Sequence, residues 1–167
     1  MTLNARLAAL FLATVSVFTA TAARAADCRV TDNVEKSARG IQGNNAAGGH
    51  VSIHIKGQKT DAGKSQFRSE VDFIQAWVHW AQYNGPKGPK AKVCGGATGS
   101  RTDCVPAGLI GMDGNNKAYV CDTVNAEKKC TQGHNITPVA VAFRYYKPKS
   151  GSWILHTAYP SINSDCQ

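Results

Sequence analysis

The chain predicts a small α+β domain in which N-terminal helices pack on an antiparallel sheet and disulfides staple the connections. Three observations carry this fold class: a C-terminal pair of β-branched and aromatic arms joined by a turn, one strongly periodic helical stretch, and six cysteines behind an apolar leader. A length of 167 residues is enough for one hydrophobic core, and no internal repeat or linker argues for a second.

At the N-terminus, Arg6, the apolar run from Leu7 to Phe18 and the small-x-small step Ala23-Arg24-Ala25 form an export signal. Residues 1–25 are therefore expected to be removed as a signal peptide, leaving residues 26–167 as a single domain that is periplasmic or secreted. The apolar run is too short for a permanent anchor and no later stretch is longer, so no membrane span is expected. Cys28, Cys94, Cys104, Cys121, Cys130 and Cys166 all lie beyond the signal, and an even count in an exported chain implies up to three disulfides. Proximity in sequence suggests Cys94 with Cys104 and Cys121 with Cys130, leaving Cys28 to pair with Cys166. No CxxC pair occurs, which disfavours a structural zinc cluster.

The 19 basic and 11 acidic residues give a net charge of +8, and since the signal holds two of the basic and none of the acidic ones, the exported chain keeps +6. An anionic partner fits that sign, whether nucleic acid, a membrane surface or an acidic polysaccharide. A basic cystine-stapled protein that only binds or inhibits such a partner fits it equally, as does a surface whose charge serves solubility alone.

From Asp27 to Ala47 the chain is polar and broken by Gly40, Gly43, Asn44 and Asn45, which predicts a short helix followed by a loop. The next stretch, Gly48-Gly49-His50-Val51-Ser52-Ile53-His54-Ile55-Lys56-Gly57, reads as strand or helix. As a strand it puts His50, Ser52, His54 and Lys56 on one face, and as a helix it puts His50 and His54 at i, i+4. Either way the two imidazoles are neighbours, and no further histidine or carboxylate stands at a spacing that completes a zinc motif.

The best helix runs from Ser65 to Tyr83. Ser69 is placed to cap it with Asp72 three residues on, and Val71, Ile74, Val78 and Ala81 recur at helical spacing, widened by Phe73, Trp77 and Trp80 into a buried face. His79, between the tryptophans, reads as a boundary residue. Asn84 to Lys92 is a basic Gly/Pro loop, the span from Cys94 to Cys130 reads as a disulfide-stapled hairpin region, and His134 sits in a turn before the first C-terminal arm.

That arm is Val139 to Tyr146, and the second runs from Gly151 to Pro160, with Lys147-Pro148-Lys149-Ser150-Gly151 as turn chemistry. Strict alternation puts Trp153, Leu155, Thr157 and Tyr159 on one face and turns Ile154, His156 and Ala158 to the other.

A histidine pair with a lysine, a basic surface and a strand carrying hydroxyls are the types that cleavage of RNA by its own ribose needs. The 2′-hydroxyl must lose a proton, the 5′-oxygen must gain one, and the phosphorane needs a cation or donor. Imidazole can do either proton step near neutrality without a metal.

The order GGH with a second histidine (Gly48, Gly49, His50, His54), Ser-x-Phe (Ser65, Phe67) and a closing TAYP (Thr157, Ala158, Tyr159, Pro160) resembles the RNase A-like toxin domain of bacterial contact-dependent growth inhibition proteins. The resemblance implies an RNase A-like fold and a metal-independent endoribonuclease, possible toxin activity, an RNA substrate, and an immunity protein or inhibitor as partner to a monomer without cofactor. It assigns catalysis to His50, Thr157 and Tyr159. A basic helper is expected from Lys56 or Arg68, with His54 and His156 as supporting candidates. The chain departs from that family in its six cysteines and in standing alone behind an export signal. A bulge in the last strand would swing His156 into the site and give two histidines, as in pancreatic-type ribonuclease.

Overall fold

The computed structural model describes residues 25–96 and 98–167, so the export signal expected over 1–25 lies, apart from Ala25, outside the described residues. Among the described residues eight strands and three α-helices follow one another: β1 (Ala26–Asp27), α1 (Asp32–Ser37), α2 (Ile41–Ala46), β2 (Ser65–Phe67), α3 (Glu70–Gln82), β3 (Val93–Cys94), β4 (Gly99–Pro106), β5 (Ala118–Val124), β6 (Cys130–Ile136), β7 (Ala140–Lys147) and β8 (Ile154–Ser161). The strands form three small antiparallel sheets, β1-β3, β2-β5-β6 and β4-β7-β8. The expected mixture of helix and antiparallel sheet in a small disulfide-bonded domain is what the chain adopts. Among the described residues no helix is long and apolar enough to cross a membrane.

Helix α3 starts later than its periodicity suggests. Ser65–Phe67 is strand β2, and the helix begins after Ser69, whose Oγ accepts the Asp72 amide at 3.1 Å and donates to its carboxylate at 2.6 Å. Its buried face is Phe73, Ala76, Trp77 and Trp80. The stripe through Val71 and Val78 is overturned, since these side chains are 60% and 42% exposed. The large aromatics fill the gap above the sheet, Trp77 lying edge-on to Phe143 and Tyr145 of β7, and the smaller valines are left outside. His79 is exposed on the outer side.

Beneath α3 the Asp103 carboxylate is buried, and it accepts hydrogen bonds from Tyr145 Oη at 2.8 Å, Trp80 Nε1 at 3.2 Å and the Lys92 amide at 2.9 Å. Burial pushes its pKa up against these three donors. The network satisfies every polar group that the helix brings to the sheet at this point, which is the condition for burying them.

The disulfides are Cys28–Cys94, Cys104–Cys166 and Cys121–Cys130. Only the last agrees with pairing by sequence proximity. It staples the β5-β6 hairpin, as expected. Cys94 instead meets Cys28 because β1 pairs with β3, Ala26 opposite Cys94, and Cys104 on β4 fastens the C-terminal segment. All six thiols are thus consumed, as fits an oxidising compartment.

The segment from Asp32 to Ala46 is two short helices rather than one, broken by Gly40 at φ +130°. The His50 region is neither strand nor α-helix. It is a single 3₁₀ turn, Val51–His54, followed by a parallel bridge from Ile55 to Phe67.

Candidate active site

The decisive local feature is a bulge in β8. Across β7-β8, Tyr146 pairs with Ile154 and Tyr145 with Leu155, but Arg144 pairs with Thr157, so His156 is the extra residue. Strict alternation therefore fails at that point. Trp153, Leu155 and Ala158 face the main core, whereas His156, Thr157 and Tyr159 border one cleft. The expectation that His156 points away from Thr157 and Tyr159 is overturned, because a bulge resets the phase of every residue after it.

A bulge leaves backbone groups without ladder partners, and the N-terminal segment supplies them. Leu155 N–H donates to Ser37 Oγ at 2.7 Å, and the Leu155 carbonyl accepts from Asn44 Nδ2 at 2.7 Å. The His156 carbonyl accepts from the His50 amide. Buried Asn44 also donates to the Ser37 carbonyl at 3.1 Å and accepts the Val51 amide at 2.8 Å, so it clamps the turn carrying His50 onto the bulged strand. Gly49 lets the chain pass, since a Cβ there would lie 2.3 Å from Asn44 Oδ1, and Gly48 takes φ +82°. The GGH sequence is thereby explained by packing as well as by chemistry.

The result brings the rings of His50 and His156 against each other, centroids 4.5 Å apart and planes tilted by 42°. The cleft they border has a volume of about 720 Å³ and takes in four of the five histidines, His50, His54, His134 and His156. Its charged side chains besides imidazole are Lys64 and Arg144, and no Asp or Glu side chain lines it. Such a basic surface concentrates anions.

Each group has a distinct setting. Burial lowers the pKa of His156, with the neighbouring His50 and Arg144 adding to the effect and the Gly48 carbonyl opposing it. Its Nδ1 is buried without a protein partner in hydrogen-bond geometry. Thr157 is 8% exposed, and its Oγ1 likewise has no partner while its residue lines the cleft. An unpaired buried hydroxyl costs about 1–3 kcal/mol, which a ligand oxygen at this position would relieve. Arg144 sits opposite Thr157 in the register, its guanidinium 5.8 Å from the Tyr159 ring centroid.

His54 differs from His50 despite lying four residues away. It is buried, donates Nδ1–H to the Ser65 carbonyl at 2.7 Å and stacks on Tyr159 at 5.1 Å. Burial drives its pKa down to about 4, with Lys64 and Arg144 adding to the fall and the Ser65 bond opposing it. It is a neutral wall of the cleft near pH 7. Tyr159 is a wall too, since its hydroxyl donates to the Cys166 carbonyl at 2.9 Å.

Compared with family models, curated proteins and solved structures, the chain matches none. The site therefore stands on its own geometry.

Of the residues singled out from the sequence, the fold gathers His50, His54, His156, Thr157 and Tyr159 around one cleft. Lys56 and Arg68 are not among its lining. Lys56 Nζ lies over the Tyr119 ring at 4.0 Å, and Arg68 donates to the Asn116 carbonyl at 2.9 Å, so both expected cationic helpers are committed elsewhere. The Lys and Arg side chains that do line the cleft are Lys64 and Arg144. Arg144 was readable only with the hairpin register, which the bulge alters, and Lys64 carries no distinguishing signal. His134, held by Asp122 at 2.9 Å on the β5-β6 hairpin, reaches the cleft through sheet pairing that no local pattern reveals. Among the described residues no group of three or more His, Cys, Asp and Glu side chains is arranged as metal ligands.

Proposed function

We propose that this protein is an RNase A-like endoribonuclease that cleaves RNA by transphosphorylation, without a metal. The observation that carries the reading is the facing pair His50 and His156 beside an unpaired Thr157 hydroxyl and the Arg144 guanidinium, in a cleft free of acidic side chains.

In this reading the scissile phosphate lies across the cleft-facing edges of the two imidazoles, whose ring centroids are 4.5 Å apart. His156, held neutral near pH 7 by its lowered pKa, accepts the ribose 2′-proton as O2′ attacks phosphorus. His50, in its protonated form, donates to the departing 5′-oxygen. Thr157 Oγ–H and Arg144 meet the charge that grows on the non-bridging oxygens. The bond formed is O2′–P and the bond broken is P–O5′, so the products are a 2′,3′-cyclic phosphate and a free 5′-hydroxyl. Each step uses a group of this chain and none requires a cofactor.

The test is incubation of the oxidised protein with RNA and with DNA of the same sequence in excess chelator. The expected outcome is RNA fragments ending in 2′,3′-cyclic phosphate and intact DNA, because DNA lacks the nucleophile. Equal cutting of both, or intact RNA, would remove the assignment and leave a basic binding protein.

A further inference from the structure

We propose that Tyr146 is a base-stacking subsite just outside the cleft, for the nucleoside across the scissile phosphate from the one that the cleft holds. This rests on the ribonuclease reading of the site.

Strand β7 sends Phe143 and Tyr145 into the core and leaves Arg144 and Tyr146 on its open face. Tyr146 is 41% exposed, and it is the only aromatic among the large apolar side chains left well exposed in the described residues. Its position relative to the histidines is specific. The ring centroid lies 5.4 Å from that of His156, which in turn faces His50, yet Tyr146 is not part of the cleft wall. The two rings are tilted by 49° rather than stacked, so the flat face of Tyr146 is not used up on the imidazole.

A phosphate held at His50, His156 and Thr157 sends its two nucleosides in different directions. One enters the cleft toward His54 and Tyr159, and the other passes outward over His156, where Tyr146 is the first aromatic surface. Single-stranded nucleic acids are bound by this combination of an exposed ring and a nearby cation, here Arg144 two positions earlier on the same strand. Because every base offers a π-face, the subsite should take purines and pyrimidines alike.

The test uses binding, not cleavage. The ligand is a dinucleoside monophosphate with 2′-O-methyl ribose, which the proposed reaction leaves intact, together with two versions in which one or the other nucleoside is abasic. Tyr146→Ala is expected to weaken the full dinucleotide on the order of 5- to 100-fold, Tyr146→Phe to retain affinity, and the loss to vanish for one of the two abasic ligands. Unchanged affinity in Tyr146→Ala, or equal losses on both abasic ligands, would overturn the subsite. A protein that cuts RNA while Tyr146→Ala binds like wild type loses the subsite alone. One that binds through Tyr146 but leaves RNA whole keeps the subsite and loses the nuclease reading, and a wild-type protein that binds none of the three ligands loses both.

Discussion

His50 and His54 stand one turn apart in sequence and border the same cleft, but they occupy opposite environments. His54 is 6% exposed, its Nδ1–H is committed to the Ser65 carbonyl, and its pKa is pushed down to about 4. His50 is exposed, its backbone is tied to the His156 carbonyl, and its ring faces a second imidazole. The difference teaches that spacing brings two histidines to one place while burial divides their work. One is a neutral wall that supports Tyr159, and the other presents an exposed ring to the cleft beside His156.

The largest expected effect separates these two environments at the chemistry. His50→Ala or His156→Ala should each lower the initial rate on a dinucleotide on the order of 10²–10⁴-fold, the usual worth of a general acid or base. Circular dichroism of both variants should remain that of the wild type, since neither ring anchors the core. Strict strand alternation, which turns His156 away from Thr157 and Tyr159, would instead make His156→Ala mild.

Next is the clamp beneath His50. Asn44→Ala leaves the Leu155 carbonyl and the Val51 amide without their side-chain partner in a buried setting. At about 1–3 kcal/mol for each unpaired group, the variant should lose on the order of 3 kcal/mol in urea unfolding and fall in activity as His50 drifts from His156.

The acid side of the stability curve tests His54. Its folded pKa lies below the unfolded value of 6.5, so its neutral form stabilises the fold fully above that pH, and this contribution disappears as pH falls from 6.5 toward about 4. A shift of that size corresponds to roughly 3 kcal/mol at most. Unfolding midpoints measured across this window should fall steeply for the wild type and much less for His54→Gln. A wild-type curve as flat as that of the variant would place His54 in water.

The smallest effect belongs to Tyr159→Phe. Because the hydroxyl already donates to the Cys166 carbonyl, its removal should cost about 1 kcal/mol of stability and change the rate less than tenfold, whereas Tyr159→Ala should also loosen His54. A loss for Tyr159→Phe as large as that for His50→Ala would make the hydroxyl a phosphate donor after all.

What was legible in the sequence follows the range of the forces involved. The β7-β8 hairpin, the Ser69 cap, the Cys121–Cys130 staple and the neighbouring pair His50 and His54 rest on local periodicity and spacing, while the choice of His50, Thr157 and Tyr159 rests on the family resemblance. The bulge at His156 does not, because no residue of β8 announces it. It is stabilised from afar by Ser37, Asn44 and His50, more than a hundred residues earlier. The pairings Cys28–Cys94 and Cys104–Cys166 and the cleft position of Arg144 depend on tertiary register in the same way. Lys56 and Arg68 are candidates only through the basic helper that the resemblance implies, and their direction is set by Tyr119 and Asn116, which only the fold brings near.

The most direct test of the two-histidine pair is the pH dependence of kcat/KM on a dinucleotide for wild type, His50→Ala and His156→Ala. The pair predicts a bell-shaped wild-type profile, with the acid limb lost in His156→Ala and the alkaline limb lost in His50→Ala. A His156→Ala protein that keeps both limbs and near-normal rate would show that the bulge brings the second imidazole close without giving it a part in catalysis.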